Sequence, residues 1–255
     1  MQASLAWKDK KQNLLKFGAW IEGLAEKPDL IVLPEMFSTG FVVEPFDIAE
    51  PMDGTAMQWL SSQAKASGCT ITGSLAITEN GKYYNRLIWM RPDGSFETYD
   101  KRHLFRMGNE HERFEQGNKQ LIVDLNGWKI MPLVCYDLRF PVWSKNRLVN
   151  GNYAYDCLIY VANWPASRSL AFRSLLLARA IENQAYLAGV NRTGLDGNGV
   201  AHQGESVIID FKGNYLVQCP QDQEHIATYT LSREGLEEQR RKFAVGLDWD
   251  QFNIE

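Results

Sequence analysis

Ile130-Met131-Pro132-Leu133-Val134-Cys135-Tyr136-Asp137-Leu138-Arg139-Phe140-Pro141 joins an apolar run to a cysteine and then to a polar turn. A run of that length bounded by polar residues reads as a buried strand, with its final side chain at the strand tip. Pro141 turns the chain away and favours a helix start. A helix there would aim free N–H groups at the thiol and favour its thiolate. Cysteine is nevertheless among the most buried residue types, so one thiol at a strand end is equally a core residue. Cys69 and Cys157, inside apolar runs, read as core.

Outward from this stretch, Leu121 to Leu125 and Trp128 to Val134 flank Asn126-Gly127, a strong hairpin signal. Upstream, the spacing predicts a helix over 8–26 and a strand over 29–33 that runs out at Pro34-Glu35. Thr55 reads as the N-cap of a helix to Ala66 that stops at Gly68. A meander follows, with strands over 69–77, 83–90 and 95–99, and then an irregular polar stretch over 101–119. Downstream, strands are predicted over 156–162 and 186–190 around a helix over 172–184. A hairpin over 206–217, a last strand over 226–231 and a charged helix over 233–242 complete the pattern. The tail 244–255 carries Trp249 and Phe252 and is expected to dock on the domain or on a partner subunit. Gln2 to Trp7 leaves room for only a short first strand, unless the chain is trimmed there.

Helices and strands alternate without repeats or a linker, which favours one α/β domain over residues 1–255. Hairpin-linked strands exclude a purely parallel sheet. The hydrophobic fraction of 45% and charged fraction of 23% are those of an ordinary globular protein, and the net charge of -4 favours neither nucleic acid nor an anionic membrane. No apolar run reaches the ~18 residues of a membrane span. Met1-Gln2-Ala3-Ser4 lacks the pattern of a secretory signal, and the four scattered cysteines lack metal or disulfide spacing. A cytoplasmic protein without metal or cofactor is expected.

A thiol nucleophile needs a base. None of His103, His111, His202 and His225 sits in a cysteine-protease context, so each reads as solvated or hydrogen-bonding. Glu35 closes a buried strand much as Cys135 does, and Lys101 closes another after Thr98-Tyr99-Asp100. Taken singly, each could be a surface charge.

Taken together and in order, Leu33-Pro34-Glu35, Tyr99-Asp100-Lys101 and Val134-Cys135 resemble the Glu-Lys-Cys triad of the nitrilase superfamily of carbon–nitrogen hydrolases. The resemblance extends through Tyr160-Val161-Ala162-Asn163-Trp164-Pro165 and Ala178 to Gln184 as far as Gly204-Glu205-Ser206. Lys101-Arg102-His103-Leu104-Phe105 and the Cys135 stretch are most similar to the bacterial ω-amidase branch. That resemblance implies a four-layer α-β-β-α sandwich with mixed sheets, dimerising into a longer stack, and hydrolysis of ω-amides such as 2-oxoglutaramate. It implies Glu35 as general base, Cys135 as nucleophile, and Lys101 with the Tyr136 backbone N–H as oxyanion donors. It further implies Glu110 as a second glutamate orienting Lys101 or the substrate amide, with Glu112 and Glu115 as alternatives. A dicarboxylic ω-amide has a distal carboxylate that calls for a cation. Arg106, Arg139, Arg168 and Arg173 are candidates, and Arg139 and Arg173 are put forward. Phe41 and Trp164 are expected to wall the pocket. A nitrilase, an N-carbamoyl amide hydrolase, or a non-catalytic binding protein of the same fold are the competing readings.

Overall fold

The structure is a computed structural model and describes residues 1–254. Its first sheet has four strands in sequential order: β1 (Leu30–Val32), β2 (Thr70–Glu79), β3 (Lys82–Met90) and β4 (Phe96–Asp100). β1 is parallel to β2, and the others are antiparallel hairpin neighbours. The chain then builds β5 (Val123–Leu125), β6 (Trp128–Val134), the small hairpin β7 (Leu148–Val149) and β8 (Asn152–Tyr153), and β9 (Cys157–Ala162). β10 (Tyr186–Asn191), the small ladder of β11 (Thr193–Leu195) and β12 (Ala201–Gln203), β13 (Val207–Ile209) and β14 (Tyr215–Gln218) follow. The second sheet has the order β14-β13-β10-β9-β6-β5, with β6, β9 and β10 parallel at its centre and antiparallel strands outside.

Strand alternation explains the layering. On β3, Ile88 and Met90 join a core with Leu14, Phe17 and Ile21 of α1 (Lys10–Glu22) and Met57, Leu60 and Ala64 of α2 (Thr55–Ser67). The alternate residues Leu87 and Trp89 point the other way, into a core shared with Met131, Leu133 and Ile159 of the second sheet. Phe172, Leu176 and Ala180 of α4 (Ser169–Asn183) pack against that second sheet. The result is the α-β-β-α sandwich. Ile130 to Val134 is buried at every position, as befits a central parallel strand covered on both faces. Asn126 and Gly127, at φ 51° and 81°, form the two-residue turn of the β5–β6 hairpin.

Four expectations are corrected. Gly54, not Thr55, is the N-cap of α2, because the Glu50 carboxylate fills the capping site by accepting from the Ala56 N–H at 2.6 Å. A Cβ on residue 54 would come within 2.8 Å of the Glu50 side chain. Residues 226–231 form no strand: only His225 bridges, to Gln2, and Ile226 and Tyr229 stay partly exposed. Gln2 to Trp7 likewise makes only single bridges, Gln2 to His225 and Ser4 to Thr193. The helix over 8–26 is shorter, spanning Lys10–Glu22, and its Leu15 faces solvent. The charged helix α5 is found at Arg233–Lys242, beyond the four-residue α3 (Pro141–Ser144) and α4. Beyond α5, Trp249 packs edge-on against Tyr153 with centroids 5.4 Å apart, and the Lys145 ammonium lies 3.8 Å over its ring.

One buried group gives an acid-stability prediction. His202 is 3% exposed, and burial, reinforced by the Arg192 charge, lowers its pKa to about 4 from the ordinary 6.5 or so. The unfolded chain therefore binds a proton that the folded chain refuses as pH falls from about 6.5 to 4. Stability from this group is lost on acidification, by about 3 kcal/mol in full. Urea unfolding at pH 7.5 and pH 4.5 should show a drop about 2 kcal/mol smaller in His202→Gln than in the parent. Equal drops would contradict the assignment.

Candidate active site

Three strand ends meet between the sheets. β1 runs out through Leu33-Pro34 to Glu35, and β4 hands over to Lys101; both side chains are fully buried. β6 ends at Val134, and Cys135 opens a short 3-10 turn, Cys135–Arg139. Its φ of 44° lies in the left-handed region that residues with a Cβ seldom adopt, so the chain reverses sharply at the thiol. The turn is only five residues and α3 only four, so the helix dipole expected beside the thiol is not built.

Hydrogen bonds fix the Glu35 carboxylate. Its Oε1 accepts from Lys101 Nζ at 2.8 Å and from Asn85 Nδ2 at 2.9 Å, and its Oε2 accepts from the Asn163 N–H at 2.8 Å. The Asn163 side chain donates to the Glu35 backbone carbonyl. Lys101 Nζ also donates to both oxygens of Glu110, at 3.1 and 2.9 Å. Glu110 comes from the 3-10 turn Glu110–Glu112 and is fully buried, bonded also to Asn85 Nδ2 at 3.0 Å and the Phe105 N–H at 2.6 Å. Its alternatives Glu112 and Glu115 are exposed, and Glu115 pairs with Lys82 at 3.4 Å. Gly117 seals the segment after Lys101: its N–H donates to the Lys101 carbonyl, and a Cβ there would sit 2.0 Å from the Asp100 carbonyl.

The electrostatics decide the resting protonation state. Burial alone would lower the Lys101 pKa. The carboxylates of Glu110 and Glu35 more than offset it, so the ammonium persists well above the ordinary lysine range. Burial, and then the Glu35 charge, push the Cys135 thiol far up, with Lys101 offsetting only part. Glu110 is raised as well, because burial outweighs the pull of Lys101. The site therefore holds a neutral thiol beside a carboxylate and an ammonium. Such a thiol attacks only if the carboxylate takes its proton.

The remaining sequence-derived residues are distributed around this centre. The Phe41 ring lies 5.2 Å from Lys101 Nζ. The Tyr136 ring packs on Phe105 and Phe140, with centroids 5.2 and 5.1 Å away. Trp164 is buried, and its Nε1 donates to the Arg168 carbonyl at 2.9 Å. Arg139 lies 4.9 Å over the Trp164 ring and Arg168 5.2 Å over the Phe105 ring; among the described residues, neither has an ion-pair partner. Arg173 is half exposed and lies 3.5 Å from Glu205. Asn85 and Asn163, which hold the carboxylates, were not singled out from the sequence. Asn85 stands between Tyr84 and Arg86 in β3, a local pattern that does not mark it. Among the described residues, no group of three or more His, Cys, Asp or Glu could hold a metal ion. No helix of the described residues is long and apolar enough to cross a membrane.

The model of the carbon-nitrogen hydrolase family matches residues 1–241. Omega-amidase YafV of Escherichia coli K12 is 44% identical over 254 residues, 100% of this chain and 96% of that protein. The 2-oxoglutaramate amidase of Bacillus subtilis is 34% identical over 221 residues, 86% of this chain and 84% of that protein. Among solved structures, XC1258 of Xanthomonas campestris, a CN-hydrolase superfamily protein with an arsenic adduct in its active site, superposes with a TM-score of 0.97. It shares 46% identity, with 100% of this chain and 97% of that one covered.

Proposed function

The chain belongs to the carbon–nitrogen hydrolase family, and from that premise we propose that it is an ω-amidase working through a cysteine thioester. The reading rests above all on one observation: the Lys101 ammonium bridges two buried carboxylates, Glu35 and Glu110, at the strand ends where Cys135 also stands. In the first step Glu35 takes the Cys135 proton as the sulfur attacks the amide carbon. The oxyanion forms against the Lys101 ammonium and the Tyr136 N–H. Glu35 then returns the proton to the departing nitrogen, and ammonia leaves a thioester on Cys135. In the second half Glu35 accepts a proton from water, the resulting hydroxide attacks the thioester, and the thiol is reprotonated as the carboxylic acid departs. Glu110 and Asn85 hold Lys101 and Glu35 in place throughout, so that preorganised charge meets the oxyanion.

For the distal carboxylate of an ω-amido acid, Arg139 is the favoured cation. It has no carboxylate of its own among the described residues and is steadied on Trp164, whereas Arg173 is near Glu205. Phe41 and Trp164 would wall the pocket. Four free cysteines fit a reducing cytoplasm, and exposed Leu170 and Ile181 on α4 fit a homodimer.

Purified protein should release ammonia from 2-oxoglutaramate and succinamate in preference to a nitrile or an N-carbamoyl amino acid. Loss of a charge-assisted hydrogen bond predicts that Arg139→Met raises KM for 2-oxoglutaramate about 10- to 100-fold, with a much smaller change in kcat. Preference for the nitrile or the carbamoyl substrate would overturn the ω-amidase reading.

A further inference from the structure

Lys101 follows β4 in one sheet, Cys135 follows β6 in the other, and among the described residues no strand ladder joins the two sheets. Their separation is therefore set by side chains packed between the layers. Asp137, two residues after the cysteine, is fully buried and makes most of its hydrogen bonds across that gap. Its Oδ2 accepts from the Tyr99 hydroxyl at 2.7 Å and from the Val134 N–H at 3.1 Å. Its Oδ1 accepts from the His103 N–H at 3.0 Å and meets His103 Nδ1 at 2.8 Å.

We propose that the Asp137 carboxylate, with His103 as its partner, is a positioning clamp that holds Lys101 in register with Cys135. A simple cap of the Cys135–Arg139 turn would need only the Val134 N–H. Three of the four groups facing Asp137 instead belong to Tyr99 and His103, one on each side of Lys101. The Tyr99 hydroxyl also accepts from the Arg102 N–H at 3.2 Å and from Trp143 Nε1 at 2.9 Å, which ties in both the residue after the lysine and the segment after the cysteine. The His103 ring stacks on Phe140 at 3.8 Å with an interplanar angle of 6°, and stands edge-on to Trp143. Its orientation is thus fixed by the elbow that carries the nucleophile. Because an ionised carboxylate only accepts, Nδ1 carries the proton. Burial and the Asp137 charge hold the Tyr99 hydroxyl proton on, which keeps it a donor. Only a carboxylate accepts from all four groups; an asparagine would turn an NH2 against one pair.

This inference rests on the reading of Lys101 and Cys135 as catalytic. Displacement of reacting groups by about 1 Å costs on the order of 100-fold in rate. Asp137→Asn should therefore lower kcat by about 100-fold per folded site while KM for 2-oxoglutaramate changes less than about threefold. His103→Ala should lower kcat about 10-fold, and His103→Asn, whose amide can donate in place of Nδ1, should recover most of it. Leu60→Ala, which opens the distant α2 core, serves as a variant that loses stability alone and should keep kcat. The clamp is refuted if folded Asp137→Asn keeps its kcat. If that variant does not fold, equal kcat in His103→Ala and the parent refutes it, as does a failure of His103→Asn to recover activity. Failure of the catalytic reading itself would show differently, as full activity in Cys135→Ala.

Discussion

Cys135→Ala is expected to reduce ammonia release from 2-oxoglutaramate on the order of 10^5-fold, with the protein still folded. The nucleophile is the one group for which no neighbour can substitute, and removing such a group alone costs nearly as much as removing the whole catalytic set. The thiol is held by burial and by Glu35 in its neutral form, so losing it removes no buried charge and little stability. Cys69→Ala is the matched control. That thiol is buried, more completely than Cys135, but it lies in the core behind α2 and meets the Ser67 carbonyl at 3.7 Å. Its variant should keep kcat and KM and lose only a little thermal stability. Steady-state assays of both proteins, corrected for folded fraction by circular dichroism, make the comparison. Comparable loss in the two would mean that packing and not chemistry is being measured.

Lys101→Met should produce the second large effect, and it should strike both activity and stability. A lost oxyanion donor typically costs about 3–4 kcal/mol of transition-state stabilisation, so kcat should fall on the order of 10^2- to 10^3-fold. Removing the ammonium also leaves Glu35 and Glu110, both fully buried and sharing the Asn85 amide, without a counter-charge. Breaking a buried ion pair from one side costs about 3–5 kcal/mol. A second substitution, Glu110→Gln, removes one of the stranded charges and should restore much of the lost stability without restoring activity. Urea unfolding of the single and double variants, alongside their kcat, separates the two roles. Stability unchanged in Lys101→Met would contradict the ion-pair account. Activity regained in the double variant would contradict the oxyanion role.

The sequence carried Glu35, Lys101 and Cys135 because each closes a strand legible in the sequence, Glu35 and Cys135 after short apolar runs and Lys101 at the end of the meander, and a strand's last side chain is where a ligand can reach. It carried the β5–β6 hairpin because Asn126-Gly127 supplies two positive φ angles. It could not carry the residues that hold the site together. Asn163 reaches Glu35 across 128 positions of chain, Asn85 across 50, and Asp137 reaches His103 across 34. Such contacts follow from how two sheets stack, which local periodicity does not encode. Cys135's left-handed backbone was likewise hidden, because the polar residues after it mark a turn but not a positive φ at the cysteine itself. Residues 226–231 look like a strand by composition, yet a strand also needs an edge to pair with, and only His225 finds one. At Gly54 the reading failed for a chemical reason: the capping oxygen comes from Glu50, four residues upstream, and not from the adjacent threonine.

The most direct test is to find the covalent intermediate. Protein mixed with 2-oxoglutaramate, quenched in acid within the first turnover and measured as intact protein and as peptides, should carry one acyl group. That group should sit on the peptide containing Cys135 and disappear on the timescale of acid release. Turnover without any adduct, or an adduct on Cys69, Cys157 or Cys219, would contradict the mechanism.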